Sequence, residues 1–357
     1  MNSDEQVTLE IRAGNESAFT AQAERYRREL QVHCYRMLGS FEDSEDLVQE
    51  TLLRAWRKRE SFQGRSSFRA WLYRIATNAC LDALRSRPRR VLPSQLGPGG
   101  DPPLPTLPPA DLPWLQPYPD HLLEGIAPSD DQPESVIVAR ETIEIAFLAA
   151  IQLLPPRQRA VLILRDVLGW SAKETGSLLE ASVAAVNSAL QRARATLKQE
   201  LPARRLDWAP SSHPSEPERA LLQRFMDAIE RADVAAMAEL LREDARATMP
   251  PTPTWHDGRE AIMTAVTQSF HPASPHYVGQ WRLLPTGANM QPACAGYLRR
   301  PGDTEYRAFA LDVLRFEEGK LVEITAFGAA LEPNEPGELP FAVSADLFRA
   351  FGLPPTL

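Results

Sequence analysis

Two sets of side chains in this sequence have the types and spacing to handle nucleic acid. Arg74, Asn78, Asp82 and Arg85 recur at intervals of four, four and three, so a helix would carry them on one face. In the second set, Ala184, Ser188, Gln191 and Arg192 share a face with Asn187 and Arg194 at its margin, and no acidic residue occurs from Ala181 to Gln199. Arginine grips phosphate or reads guanine, while Gln and Asn read adenine edges in the major groove. The alternative for the second set, the outer surface of an ordinary pair of packed helices, is the less favoured of the two.

The elements that position the second set are marked by their caps. Ser171 followed by Glu174 forms a capping box, which predicts a helix from Ser171 to about Leu179. A turn of Glu180, Ala181 and Ser182 follows, and Ser182 can cap a second helix whose inward face is Val183, Val186, Leu190, Ala193 and Leu197. Helix, tight turn, then a helix with a small, polar, basic outer face is the helix-turn-helix pattern. Glu180 stands where such turns favour glycine, and positive φ at a non-glycine residue costs roughly 1 kcal/mol.

The first set lies in a basic block. From Thr51 to Arg90 there are eleven Arg or Lys residues (among them Arg65 and Arg87) against two acids, with Phe62, Phe68, Trp71 and Tyr73 interleaved. Rings among cations suit single-stranded nucleic acid, although Phe68 and Trp71 suit a core at least as well. The helix of this block turns Leu72, Ile75 or Ala76, Ala79 and Ala83 inward. Upstream, Asp43 or Ser44 can cap a helix that runs to Trp56, with Val48, Leu52 and Ala55 inward. Its other side offers Asp46, Gln49, Glu50 and Leu53 to solvent or to a partner.

The totals limit the alternatives. The chain of 357 residues is long enough for two or three domains. A net charge of −8 excludes a uniformly basic coat, so any nucleic-acid contact is local. Three cysteines (Cys34, Cys80, Cys294), far apart in sequence, make neither a disulfide framework nor a zinc site. No long apolar run or signal segment appears, so the expectation is a soluble, cytoplasmic protein with no membrane partner.

Three blocks, in this order and spacing, resemble a bacterial RNA polymerase sigma factor of the extracytoplasmic-function (ECF) type, a branch of the sigma-70 family. They are DSEDLVQETLLRAW, FQGRSSFRAWLYRIATNACLDALR and LLPPRQRAVLILRDVLGWSAKETGSLLEASVAAVNSALQRARATL. The resemblance implies two partners, RNA polymerase core enzyme and promoter DNA. It implies that Asp46, Leu47, Gln49, Glu50 and Leu53 dock on the core enzyme. Arg69, Arg74, Asn78, Asp82 and Arg85 would recognise and help melt the −10 element. Ser182, Ala184, Asn187, Ser188, Gln191, Arg192 and Arg194 would read the −35 element. Nothing in it calls for a cofactor or a metal, and the chain is expected not to be a catalyst.

The remaining sequence divides around these blocks. Twelve prolines between Pro93 and Pro133 mark a linker over residues 91–136, with an apolar cluster in LPWLQPYPDHLL. That cluster either packs on the chain's own domains or, by the resemblance, threads into the polymerase. It also resembles a signature of the sigma subgroup that carries a C-terminal extension. Glu218 to Leu241 predicts helix with a break near Ala232-Asp233. WHDGREAIMTAVTQSF predicts a short strand or turn and then a helix. Strands are predicted over Tyr277–Leu284, Ala293–Arg300, Tyr306–Phe316 and Leu321–Phe327.

This order resembles the SnoaL-like fold, an α+β cone that encloses a pocket and leaves room for a small-molecule ligand. His256, Asp257, His271 and His276 are its available acid–base groups, in no spacing that specifies catalysis. The expected architecture is therefore multidomain: two all-α sigma domains (1–90 and 137–206, the second with the helix-turn-helix), the Pro-rich linker, a SnoaL-like regulatory cone (207–335) and a tail (336–357). By the resemblance the cone tunes sigma activity in cis, and the tail residues Leu347, Phe348, Phe351 and Leu353 are an apolar latch onto another domain.

Overall fold

The computed structural model describes residues 9–64, 66–86, 89–96, 113–123, 143–200, 214–252, 255–330, 341–342 and 345–357. Most of the Pro-rich stretch, Arg65, Arg87 and residues 336–340 lie outside them. The chain divides into two compact units. One comprises Met1–Arg90 with Leu122–Pro210, the other Val91–His121 with Ser211–Leu357. Among the described residues no helix is long and apolar enough to cross a membrane.

The first unit is helical: α1 (Glu16–Leu38), α2 (Phe41–Arg57), α3 (Phe68–Ser86), α4 (Ile145–Gln152), α5 (Pro156–Leu162), α6 (Ala172–Leu179) and α7 (Val183–Glu200). Helix α2 starts earlier than the sequence suggested. Ser40, not Asp43 or Ser44, is its cap, accepting from the Asp43 amide, while Ser44 bonds back to the Phe41 carbonyl. Pro156 opens α5, where its missing N–H costs nothing. The same helix continues as a π turn over Ile163–Val167, and Gly169 follows at φ 70°.

Helices α1 to α3 enclose Leu30, Tyr35, Met37, Leu72, Tyr73 and Ala76. An aromatic cluster of Phe19, Trp56, Phe62, Phe68 and Trp71 closes one end. These rings are packing residues, the structural alternative to base stacking. Phe62 is buried, and Phe68 and Trp71 are half-buried against it.

The second unit is built on one six-stranded sheet in the order β2-β1-β6-β5-β4-β3. Its strands are β1 (Leu241–Thr248), β2 (Trp255–Asp257), β3 (Gln280–Ala288), β4 (Gln291–Arg299), β5 (Arg307–Glu317) and β6 (Lys320–Phe327). Helices α8 (Glu216–Glu230), α9 (Val234–Leu240) and α10 (Arg259–Phe270) pack on it. The predicted break falls at Ala232, φ 51°, before Asp233 caps α9. Strand β1 pairs parallel to β6, whereas the other neighbours are antiparallel. The sequence reading carried helix up to Leu241 and missed β1. LREDARAT has a low content of β-formers, and it is a strand because its backbone is paired on both sides.

Two further segments join this sheet. The β3–β4 turn, Asn289-Met290, has φ of 58° and 59°, the two-residue type I′ geometry, with Met where glycine is favoured. Tyr118 pairs with this turn: its amide donates to Asn289 Oδ1 at 2.8 Å and its carbonyl accepts from the Asn289 amide at 2.9 Å. Asp120 Oδ1 accepts from the Met290 amide at 2.8 Å. Leu115 and Tyr118 are fully buried. The apolar cluster of the linker is therefore packed within the chain's own C-terminal unit.

The tail does the same. Helix α11 (Ala345–Ala350) brings Phe348 edge-on to Tyr297, and Tyr306 exchanges backbone hydrogen bonds with Leu357. Its latch is made to the sheet of its own unit, and the described residues place Phe348 and Phe351 in that core.

Candidate nucleic-acid and polymerase interface

The α3 face predicted from spacing is present. Arg74, Asn78, Asp82 and Arg85 are all exposed, opposite the buried Leu72, Ala76 and Ala79. Its three charges are already engaged: Asp82 accepts from Arg85 at 3.0 Å, and Arg74 bonds Glu180 at 2.7 Å. Arg69 does not belong to this face. It is half-buried and donates through Nε to Glu29 Oε1 at 2.6 Å, an atom shared with Tyr73 Oη at 2.7 Å. Burial and the neighbouring Glu29 carboxylate raise the Tyr73 phenol well above its ordinary range. Arg69 is thus a structural partner of Glu29 and lies apart from the exposed face of Arg74, Asn78, Asp82 and Arg85.

On α2, Asp46, Gln49, Glu50 and Leu53 are exposed, and Leu53 retains 57 % of its surface. Glu50 bonds Arg54 one turn on at 2.6 Å. Leu47 is in the core at 8 %, so it stands on the inward side of α2, away from these four.

The Ser171–Glu174 capping box forms as predicted, in both directions, and the Ser171 bonds hold the Glu174 carboxyl below its ordinary range. Ser182 accepts from the Ala185 amide at 3.2 Å, which fixes the start of α7. Ala184, Asn187, Ser188, Gln191 and Arg192 are exposed along one side, and Val186, Leu190, Ala193 and Leu197 are buried on the other. Two residues depart from the expected pattern. Val183 faces out with 48 % exposure, because it precedes the packed turns of the helix. Arg194 is held by both oxygens of Asp166, at 2.8 and 2.7 Å, so it also buttresses the π turn.

Glu180 adopts φ 53°, ψ 48°, the left-handed conformation expected of this turn. The glycine that the turn needs for close approach is at 176, in α6. A Cβ there would lie 2.6 Å from the Ala181 carbonyl oxygen.

Sequence reasoning missed Arg159, which is 2 % exposed. Its guanidinium donates to the Met37 carbonyl, to Gln152 Oε1 at 2.5 Å and to the Gln152 carbonyl at 2.8 Å. Gln152 in turn donates to the Arg36 carbonyl. These two side chains satisfy the last carbonyls of α1 from α4 and α5, so they tie the two helical halves of this unit. Burial lowers the Arg159 pKa to about 10. The trace in the sequence is that Arg159 shares a helical face with Leu162 and Ile163, three and four residues on.

In the second unit, Asp257 is exposed and bonds Arg246 at 3.1 Å, His256 is buried, and His271 accepts from the Ala273 amide at 3.2 Å. Among the described residues there is no group of three or more His, Cys, Asp or Glu able to hold a metal ion.

With this geometry in hand, three family matches span the chain: Sigma-70 region 2 over residues 23–90, Sigma-70 region 4 over 144–197, and the SnoaL-like domain over 222–324. The chain is 43 % identical over 343 residues to the ECF RNA polymerase sigma factor SigG of Mycobacterium tuberculosis, covering 95 % of this chain and 85 % of that protein. It is similar in fold to the crystal structure of the extracytoplasmic-function sigma factor SigJ of the same organism. That similarity has a TM-score of 0.57 at 20 % identity, over 94 % of this chain and all of the other. Over 38 % of this chain and 97 % of the other, it is also similar (TM-score 0.27, 24 % identity) to a structure from Kribbella flavida provisionally described as a ketosteroid isomerase. The SnoaL-like family match over residues 222–324 corrects one expectation: with a domain of that kind in the chain, the statement that it is not a catalyst does not stand.

Proposed function

Because this chain belongs to the ECF RNA polymerase sigma factors of the sigma-70 family and carries a C-terminal SnoaL-like domain, we propose a division of labour among its surfaces. The protein directs promoter-specific transcription initiation with RNA polymerase core enzyme. In our reading, Asp46, Gln49, Glu50 and Leu53 of α2 engage the core enzyme. Arg74, Asn78, Asp82 and Arg85 of α3 handle the −10 element and its unpaired strand. Helices α6 and α7 act as a helix-turn-helix, with Ala184, Asn187, Ser188, Gln191 and Arg192 in the major groove of the −35 element.

The observation that carries this reading is the coincidence of polarity and exposure on α3 and α7. Each has an apolar side buried in its own bundle and an acid-poor or arginine-bearing side left open. The ion pair between Arg74 and Glu180 adds a mechanistic step. The −10 and −35 elements lie roughly 25 base pairs, or about 85 Å, apart along duplex DNA. Helices joined through Arg74 and Glu180 cannot occupy both at once, so the helical unit opens when it engages a promoter. The Arg159–Gln152 contacts with the end of α1 hold the closed form. The SnoaL-like unit acts in cis through residues 113–121 of the linker, which it holds at the β3–β4 turn.

Run-off transcription with reconstituted core enzyme and a randomised promoter library tests the assignment. Gln191→Ala and Arg192→Ala are expected to relax selection at −35 with core binding intact, whereas Leu53→Ala weakens core binding at every promoter. Unchanged −35 selection in both α7 variants sinks the reading of that helix.

A further inference from the structure

The interior face of the second unit's sheet carries a carboxyl group that the fold itself does not partner. Asp312 lies mid-strand in β5, opposite Cys294 of β4 and Ala326 of β6 in the register, so all three side chains share one face. Ala310 and Leu314 flank it on its own strand. Gly296, two residues along from Cys294, completes the surround. Four of these five neighbours are small, so on the sheet itself only Leu314 sets a bulky side chain beside the carboxyl. Asp312, Ala326 and Trp281 all keep accessible surface, although Leu311 and Val313, on the opposite face of β5, are 0 % and 2 % exposed.

The walls of this hollow are apolar and aromatic. A Cβ at Gly296 would meet the Trp281 ring at 3.4 Å, so glycine lets the indole lie close to the sheet beside Asp312. Phe309 packs edge-on against that ring at 5.1 Å. Asp312 stands between the main core, which includes Cys294 and Leu314, and a smaller cluster of Leu298, Phe309 and Ala310 with Met249 and Trp281. It has no hydrogen-bond or ion-pair partner among the described residues. Burial raises its pKa to about 7, and no compensating donor or cation opposes that rise. An unpaired carboxyl inside an apolar wall is costly unless something brings it a donor.

We propose that this hollow is a binding site for a small organic amine, whose ammonium group pairs with Asp312 while its apolar body lies against Trp281 and Phe309. A protonated amine supplies what the site lacks, a charged N–H donor, and an aromatic face beside a carboxylate favours a cation. A neutral alcohol of the same shape supplies a weaker donor, and a carboxylate is repelled. The inference goes beyond the transcription reading and is independent of it.

The test is titration calorimetry on the full chain at about pH 8, where the carboxyl is ionised and an alkyl amine still protonated. The probes are benzylamine, benzyl alcohol and benzoate. Benzylamine is expected to bind, benzyl alcohol to bind more weakly and benzoate not at all. Asp312→Asn is expected to weaken benzylamine by at least about tenfold, the loss of a charge-assisted hydrogen bond, and to leave benzyl alcohol nearly unchanged. Ala326→Leu, which fills the hollow and keeps the carboxyl, abolishes binding of both. Cooperative thermal unfolding of each variant establishes that it is folded. Absence of saturable benzylamine binding at millimolar concentration overturns the proposal. So does equal affinity for amine and alcohol, or undiminished amine binding by folded Asp312→Asn. Run-off transcription reads the sigma activity separately, so failure of one does not imply failure of the other.

Discussion

Replacing His33 by glutamine isolates one contribution to the pH dependence of the helical unit. His33 is fully buried on α1, its Nε2 lies 2.9 Å from Thr77 Oγ1 on α3, and its ring packs 4.9 Å from that of Tyr73. Burial, reinforced by the charges of Arg36 and Arg69, lowers its pKa from 6.5 to about 3. The folded state therefore keeps the imidazole neutral while the unfolded chain takes up a proton below about pH 6.5. The unfolded state binds more protons throughout that window, so stability falls as pH falls, by about 1.4 kcal/mol per unit. Between pH 7 and pH 5 the loss from this one group is about 2 kcal/mol, or roughly 4–8 °C in the unfolding temperature of a unit of this size. Glutamine can keep a hydrogen bond to Thr77 but does not titrate. Urea unfolding of wild type and His33→Gln at both pH values, with the far-ultraviolet helical signal as the readout, measures the difference. Equal pH dependence of the two proteins would falsify the assignment of a neutral, buried His33.

Other substitutions probe the packing of the candidate surfaces. Gly176→Ala is expected to destabilise the helical unit by about 1–3 kcal/mol, because the new methyl meets the Ala181 carbonyl; calorimetry and −35-dependent transcription should fall together. Arg159→Met removes the buried donor to the Met37 and Gln152 carbonyls at a cost of about 2–4 kcal/mol. Unfolding that shifts by less than about 0.5 kcal/mol would show that these bonds contribute little. Asp120→Ala should cost about 1–2 kcal/mol by leaving the Met290 amide unsatisfied, and protease cleavage near residue 118 should accelerate. In the second unit the sign for Asp312 is opposite to that for His33. A carboxyl raised to about 7 makes stability fall as pH rises from about 4 to 7, so Asp312→Asn should flatten that limb in a pH series of unfolding temperatures.

What could be read from the sequence followed from local rules. The Ser171–Glu174 box, the buried stripe Val186-Leu190-Ala193-Leu197 and the break at Ala232 are each decided by residues within a turn or two, and each appears in the structure. The exposed face of α3 was legible for the same reason. Contacts between residues distant in sequence were not legible. The Arg69 partner Glu29 is forty residues away, and the Arg194 partner Asp166 lies on another helix. Strand β1 was unreadable for the same reason, since its identity is given by pairing with β6. Periodicity had left Leu47 off the outward face of its helix, and the structure buries it there. Asp312 did leave a trace: in the run AFALDVLRF it falls on the same alternation as Ala310 and Leu314, a charge on an inward face.

The clasp between Tyr118 and Asn289 also has a consequence in time. Its two halves are 171 residues apart, so a ribosome elongating at about 5–20 residues per second makes the second half roughly 10–30 s after the first. Helices α1 to α7 are complete and able to pack well before Asn289 leaves the exit tunnel, and their contacts are closer in sequence than the clasp. Every newly made molecule thus passes through an interval in which the promoter-reading unit exists and the restraint on its linker does not. Ribosome pausing or premature termination after Glu200 lengthens that interval, which makes translation speed a determinant of how much unrestrained protein a cell contains.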